Sequence, residues 1–292
     1  MKGVDGAVDK TKTHTLEVSA CKVRMGVVKA VHSAQSGHPG GSLSICDVLT
    51  YLYFVKMNVD PKNPRDPHRD RFVLSKGHCA PALYSVLAQR GYFDEAELET
   101  LRKIGSMLQG HPNMNDTPGV DMSTGSLGQG ISAACGMALA SKLSNDTFKV
   151  YTILGDGEIE EGQVWEAAMF AAHKKLNNLI AVVDNNGLQI DGKISDVNSP
   201  EPIDEKFRAF GWNVVTLDAH DFDDIDRAFA EADQLSEKTE APTVLIQKSV
   251  KGKGVSFMEN QVGWHGTAPN DEQFSQAMTE LSERLNILER GE

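Results

Sequence analysis

An α/β fold, a doubly wound parallel sheet with helices on both faces, is predicted by three features of this 292-residue sequence. Near-continuous apolar runs such as "FKVYTIL" (148–154) and "NLIAVVDNN" (178–186) read as strands buried on both faces. Amphipathic stretches lie between them, and regular strand-helix alternation requires crossovers that cover both faces of a parallel sheet. Glycine turns close two of the strands, and in such sheets ligands sit beyond the carboxyl ends of the strands.

Taken in order, Leu16, Val23, Val27, Ala30, Val31 and Ala34 fall at helical spacing over 15–35. That helix stops at "SGHPGG" (36–41), where Gly and Pro force a loop. A second apolar helix runs from about Leu43 to Met57, followed by the proline-punctuated surface connection "NVDPKNPRDPHRDR". "RFVLSKGH" (71–78) is a short strand ending on a glycine, and Asp94 with Glu97 makes a capping box for a helix over Glu95–Lys103. A long loop then leads to a helix over 131–143 rich in Ala, Gly and Ser. Next comes a βαβ unit: "FKVYTIL", the helix "QVWEAAMFAAHKKL" with Trp165, Ala168, Met169, Ala172 and Leu176 on one face, and "NLIAVVDNN". Strand "WNVVTL", a helix over Asp223–Leu235 and strand "TVLIQKSV" continue the alternation. No internal repeat appears, so 1–292 reads as one domain with an N-terminal helical extension.

The formal net charge of −12 argues against nucleic acid or an anionic membrane as partner, since a diffuse negative field attracts neither. Cys21, Cys46, Cys79 and Cys135 are scattered singly, without C-x-x-C or zinc spacing, and read as reduced core thiols suited to a reducing cytoplasm. The polar N-terminus has no apolar h-region, and no apolar run reaches membrane-spanning length.

Chemistry concentrates at two strand ends. "LGDGEIEEG" (154–162) sets Asp156, Glu158, Glu160 and Glu161 on a glycine turn of the kind that cradles anions. A divalent cation reverses the sign. Asp156 and Asn186 end the two strands of the βαβ unit and converge if those strands are neighbours. Mg²⁺ prefers one or two carboxylates plus substrate phosphates within an oxygen octahedron, so Asp156, the Asn186 amide oxygen and the Leu188 carbonyl would supply three ligands. Gly155 then permits the turn, and Gly157 lets a backbone N–H approach a phosphate. An acidic helix start is the bland reading of the glutamates. An EF-hand alignment fails because Glu161 stands where its glycine belongs, and "GSLGQG" (125–130) lacks dinucleotide spacing.

Four of nine histidines adjoin a glycine: His38, His78, His111 and His265. Polar groups on loops held by a rigid sheet are where binding and proton transfer concentrate. His14, His32, His68, His173 and His220 read as solvated surface groups.

With these residues the chain resembles the transketolases, thiamine-diphosphate enzymes. The matching pieces are "SGHPGG", "RFVLSKGH", "QGHPN", "TGSLGQGIS", "GDGEIEEG", "DNNGLQIDG", "KGKG" (251–254) and "WHGTAP" (264–269), in the family's order over nearly the whole chain. Twenty-seven residues separate Gly157 from Asn185, as the family's GDG-to-NN signature requires. The resemblance implies that Asp156, Asn186 and the Leu188 carbonyl bind Mg²⁺ or Ca²⁺. It implies that His78, Gly157, Asn186 and His265 meet the diphosphate side of thiamine diphosphate, and that Gly125, Ser126 and Leu127 line its thiazolium. His38, His111 and His265 would be the catalytic histidines facing the sugar, and Glu161 a subunit-interface residue.

The resemblance covers only the family's diphosphate-binding N-terminal domain. The pyrimidine-binding domain, with its activating glutamate and the arginines for the sugar phosphate, has no counterpart here, nor has the C-terminal domain. The implied protein is the N-terminal subunit of a split transketolase in the cytoplasm. With a C-terminal subunit it would form a heterotetramer that moves a two-carbon ketol unit from a ketose phosphate to an aldose, in the pentose phosphate pathway by default, with a dedicated pathway for an unusual ketose equally compatible. Deoxyxylulose-phosphate-synthase-like chemistry is disfavoured by "SGHPGG" and "WHGTAP". A non-catalytic thiamine-diphosphate-binding regulatory subunit is disfavoured by the intact metal ligands and loop histidines.

Overall fold

A computed structural model describes residues 10–291; the polar N-terminal segment 1–9 lies outside them. The chain runs β1 (Arg71–Leu74), β2 (Val150–Gly155), β3 (Leu179–Asn185), a two-stranded ribbon of β4 (Leu188–Gln189) and β5 (Gly192–Lys193), then β6 (Asn213–Asp218) and β7 (Thr243–Lys248). Five of these form one parallel sheet in the order β1-β2-β3-β7-β6. The helices are α1 (Lys10–Ala34), α2 (Pro39–Leu43), α3 (Cys46–Tyr51), α4 (Ala80–Arg90), α5 (Gln129–Leu143), α6 (Gly162–His173), α7 (Ile194–Val197), α8 (Ile203–Ala209), α9 (Phe222–Thr239) and α10 (Asp271–Arg290).

The sheet separates two cores, as a doubly wound fold requires. Along β3, Ile180 and Val182 enter the core shared with α1, α3, α4 and α9, while Leu179, Ala181 and Val183 enter the one shared with α5, α6 and α8. Both faces of the strand are therefore dry over 179–183, which is why that run is unbroken apolar. Each such buried Val, Leu or Ile stabilises the fold by roughly 1.5–3 kcal/mol. β2 and β3 are neighbours with Gly155 opposite Asp184, so Asp156 and Asn186 emerge at one edge of the sheet.

Four local expectations need correction. The loop expected over 36–41 is confined to 36–38: Pro39 occupies the first turn of the buried helix α2, where its missing N–H costs nothing. The apolar helix from Leu43 to Met57 is interrupted after Leu43, because Ser44 turns its hydroxyl to the Gly41 carbonyl and to Asp184. It resumes as α3 and ends in a wide π turn over Leu52–Lys56. Asp94 does cap its segment, accepting from the Ala96 N–H at 2.9 Å, but the result is a 3₁₀ turn over Glu95–Thr100. In α6 the buried stripe is Val164, Ala167, Ala168 and Ala171, which leaves Met169 on the outer surface with Phe170.

All four cysteines are buried free thiols. Among the described residues no helix is long and apolar enough to cross a membrane.

Candidate functional site

The turn after β2 buries Asp156 to 3% exposure. Its carboxylate accepts the Gly157 N–H at 2.9 Å and the Gly187 N–H at 2.6 Å, bridging the ends of β2 and β3. No lysine or arginine pairs with it among the described residues. Burial, and then the nearby Asp184 charge, push its pKa up to about 6. Asn186 donates its amide N–H to Asp184 at 3.0 Å, which fixes the opposite orientation for its oxygen; that oxygen accepts the Leu188 N–H at 3.1 Å. An under-compensated carboxylate beside an amide oxygen and the Leu188 carbonyl is a hard oxygen set that suits Mg²⁺ or Ca²⁺.

The order around this edge comes from charged residues that sequence reasoning missed. Asp184, fully buried, accepts from Lys76 Nζ at 2.6 Å, Ser44 Oγ at 2.7 Å and Gln247 Nε2 at 2.8 Å, as well as from Asn186 and Ser249. Burial alone would raise its pKa, but Lys76 and these donors outweigh it and hold the carboxyl well below the usual range. Lys251, at 1% exposure, donates to the Leu188 carbonyl and contacts His265 Nδ1, both at 2.9 Å. Burial and then the Lys76 charge pull its pKa down to about 8. "KGKG" marked the loop without singling out its first lysine.

The glutamates divide. Glu158 is not a helix-start ornament: it is buried, accepts from Ser75 and from the Gly128 and Gly155 N–H groups at 3.0 Å, and so ties three site loops together. Glu160 accepts from Gln189 at 3.0 Å and Asn198 at 3.2 Å, steadying the β4–β5 ribbon. Glu161 is exposed, with its Cβ against Gly128.

His38, His78 and His265 form a tight cluster, with ring centroids 5.1 to 5.4 Å apart. Burial keeps all three neutral. His38 falls to about 4 with help from Arg102, His265 to about 3 with help from Lys251, and His78 well below its usual value with help from Lys76. His38 Nδ1 is buried without a hydrogen-bond partner among the described residues. A cavity of about 290 Å³ joins the histidines to Gly125, Leu127, Asp156, Gly157, Asn186 and Leu188. Ser126 and His111 lie off its wall, both exposed, with His111 packed beside Gly125. A larger cavity, about 590 Å³, lies by Arg69 and Arg71, but Arg69 is committed to Asp121 and Arg71 to the carbonyls of residues 66–70. The convergent polar groups are in the smaller one. His220, expected at the surface, instead bonds Asp47 at 2.7 Å with its side chain mostly buried.

A doubly wound sheet with this cavity at its carboxyl edge defines a cofactor-binding α/β domain of the thiamine-diphosphate class. Residues 15–284 match the family described as "Transketolase, thiamine diphosphate binding domain", and the chain belongs to that family. It is 47% identical over 266 residues to the 6-deoxy-6-sulfo-D-fructose transketolase subunit of Clostridium sp. (strain MSTE9), covering 91% of this chain and 96% of that one. It is 43% identical to an apulose-4-phosphate transketolase subunit of Phocaeicola vulgatus, covering 96% and 98%. Human transketolase is 41% identical over 259 residues, 88% of this chain but only 40% of the human one. The crystal structure of transketolase from Campylobacter jejuni superposes with a TM-score of 0.85 at 32% identity, covering 91% of this chain and 42% of that chain.

Proposed function

We propose that this chain is the thiamine-diphosphate-binding subunit of a two-subunit transketolase, transferring a two-carbon ketol (glycolaldehyde) unit from a ketose phosphate to an aldose. The observation that carries the reading is one cavity joining an under-compensated buried carboxylate to three neutral histidines. Relatives matched end to end and named as transketolase subunits support the two-chain arrangement.

Asp156, the Asn186 oxygen and, once Lys251 turns its ammonium to the diphosphate, the Leu188 carbonyl would hold Mg²⁺ or Ca²⁺, which relieves the buried carboxylate. The Gly157 N–H, His78 and Lys251 would meet the diphosphate; a side chain on Gly157 would crowd Gln189 at 3.3 Å, so the glycine keeps that approach open. Gly125, Ser126 and Leu127 would border the thiazolium. Thiamine diphosphate, once bound, supplies the nucleophilic carbon that takes up the ketol unit. The protein's part is to orient the sugar and move protons: a neutral His38 or His265 can accept the C3 hydroxyl proton as the C2–C3 bond breaks, which a protonated imidazole cannot. His111, at the rim, would hold the donor's hydroxyls. A C-terminal partner would supply the pyrimidine-binding domain, with Glu161 at an interface between paired copies in a cytoplasmic heterotetramer.

The test is a donor panel of the ketose phosphates apulose 4-phosphate and fructose 6-phosphate and the sulfonated 6-deoxy-6-sulfo-D-fructose, each given with an aldose acceptor to the chain alone and with a C-terminal partner. Ketol transfer is expected only with the partner. Full transfer by the chain alone would refute the two-chain reading.

A further inference from the structure

We propose that Arg24, Asp47 and His220 are positioning residues: a buried clamp behind the site that fixes the 250–254 loop and thereby holds Lys251 in the cavity wall. The inference rests on the proposed cofactor site for its consequence, but the clamp itself is a matter of geometry. Lys251 lies on a glycine turn whose own bonds, the Lys253 N–H to the Val250 carbonyl at 3.2 Å and the Val255 N–H to the Gly252 carbonyl at 3.3 Å, are long, so contacts from outside it matter. Gly252 and Gly254 take left-handed backbone conformations, φ +80° and +92°. A Cβ on Gly252 would meet the Met258 carbonyl at 2.3 Å, so no side chain can brace the turn there.

The bracing comes from three elements distant in sequence. His220, between β6 and α9, accepts the Val250 N–H on Nε2 at 3.0 Å. That acceptance places the ring proton on Nδ1, which donates to Asp47 of α3 at 2.7 Å. Asp47 also receives both terminal nitrogens of Arg24 on α1, in the fork geometry that makes such pairs directional. Arg24 spends its remaining Nε–H on the Lys253 carbonyl at 3.1 Å. The clamp thus grips the loop on either side of Lys251: by the N–H of the residue before it and by the carbonyl two residues after it. Beyond bonds within the turn itself, the other backbone grips on 250–252 are the Gly252 N–H to the Gly40 carbonyl at 2.9 Å and the Asn260 N–H to the Lys251 carbonyl at 2.9 Å. Held this way, Lys251 keeps its ammonium 2.9 Å from both the Leu188 carbonyl and His265. A plain structural staple between α1 and α3 would need only Arg24 and Asp47; the histidine and the two loop contacts have a purpose only if the loop matters.

His220 is the residue to change, since its loss leaves the Arg24–Asp47 pair in place. In the cofactor-free full chain, acetylation of Lys251 followed by peptide mass spectrometry is expected to rise at least tenfold in His220→Phe, with the surface Lys22 unchanged. In the complex with the C-terminal partner, His220→Phe should weaken thiamine diphosphate binding about tenfold with Mg²⁺ present, yet cause no further loss in a Lys251→Met background. His220→Gln, which can still offer an acceptor to the Val250 N–H, should restore most of the binding and serves if the Phe variant misfolds. Unchanged Lys251 labelling, or additive losses in the double variant, would overturn the proposal. A rise in labelling without weaker cofactor binding would overturn its link to the site. Failure of the wild-type complex to bind thiamine diphosphate would refute the proposed function, while the labelling would still decide the clamp.

Discussion

Asp156→Asn in the cofactor-free chain probes the electrostatic state of the site before any ligand arrives. Burial and the Asp184 charge raise the Asp156 pKa from 3.8 to about 6. A displacement of that size corresponds to about 3 kcal/mol at pH 7. The folded chain keeps this proton to higher pH than the unfolded chain does. The favourable state is therefore fully present below 3.8 and is lost as pH rises through about 6. For a single site with these two values, about 1 kcal/mol of the loss falls between pH 5 and pH 7. Asparagine has no such dependence. Its one oxygen can serve only one of the Gly157 and Gly187 N–H groups, an offset of about 1–3 kcal/mol at every pH. The diagnostic is therefore the slope rather than the absolute stability. Urea unfolding at both pH values, with excess chelator, should show the variant gaining on the wild type by about 1 kcal/mol between pH 5 and pH 7. Parallel pH dependences would refute the reasoning.

Three further expectations concern the same edge of the sheet. Lys76→Met leaves the fully buried Asp184 carboxylate without its ammonium and should cost about 3–5 kcal/mol by urea unfolding, with part of the loss restored by adding Asp184→Asn. Gly130→Ala would drive a methyl to 2.5 Å from Ser75, prising α5 from β1; a loss of about 1–3 kcal/mol should appear as a melting point lower by several degrees. His265→Ala in the complex with the partner should lower turnover by about 10²-fold or more while thiamine diphosphate affinity changes far less, measured by steady-state kinetics beside calorimetry.

The strand-turn-helix grammar was legible because it is local. Buried strands carry long apolar runs, and Gly155, Gly157 and Gly187 punctuate their ends, so the convergence of Asp156 and Asn186 followed from one assumption about neighbouring strands. The family resemblance placed the histidine loops, and three of the four histidines do meet in the cavity. What was not legible depends on partners far away in sequence. Lys76 looks like any loop lysine until the sheet sets it 2.6 Å from Asp184, 108 positions on. Glu158 read as a helix-start residue because the Gly128 N–H that it holds lies 30 positions earlier. His220 read as a surface group because nothing nearby in sequence signals Asp47 or Val250. Met169 was misplaced by about 100° of helix rotation, since alanines rather than large side chains mark the buried stripe of α6.

The most direct test of the site is calorimetric titration of thiamine diphosphate into the chain assembled with its C-terminal partner, with Mg²⁺ and with chelator, for the wild type and Asp156→Ala. Saturable binding that needs Mg²⁺ and is lost in Asp156→Ala is the expected result. Binding of equal strength with chelator, or in the variant, would contradict a metal-bridged diphosphate at the ends of β2 and β3.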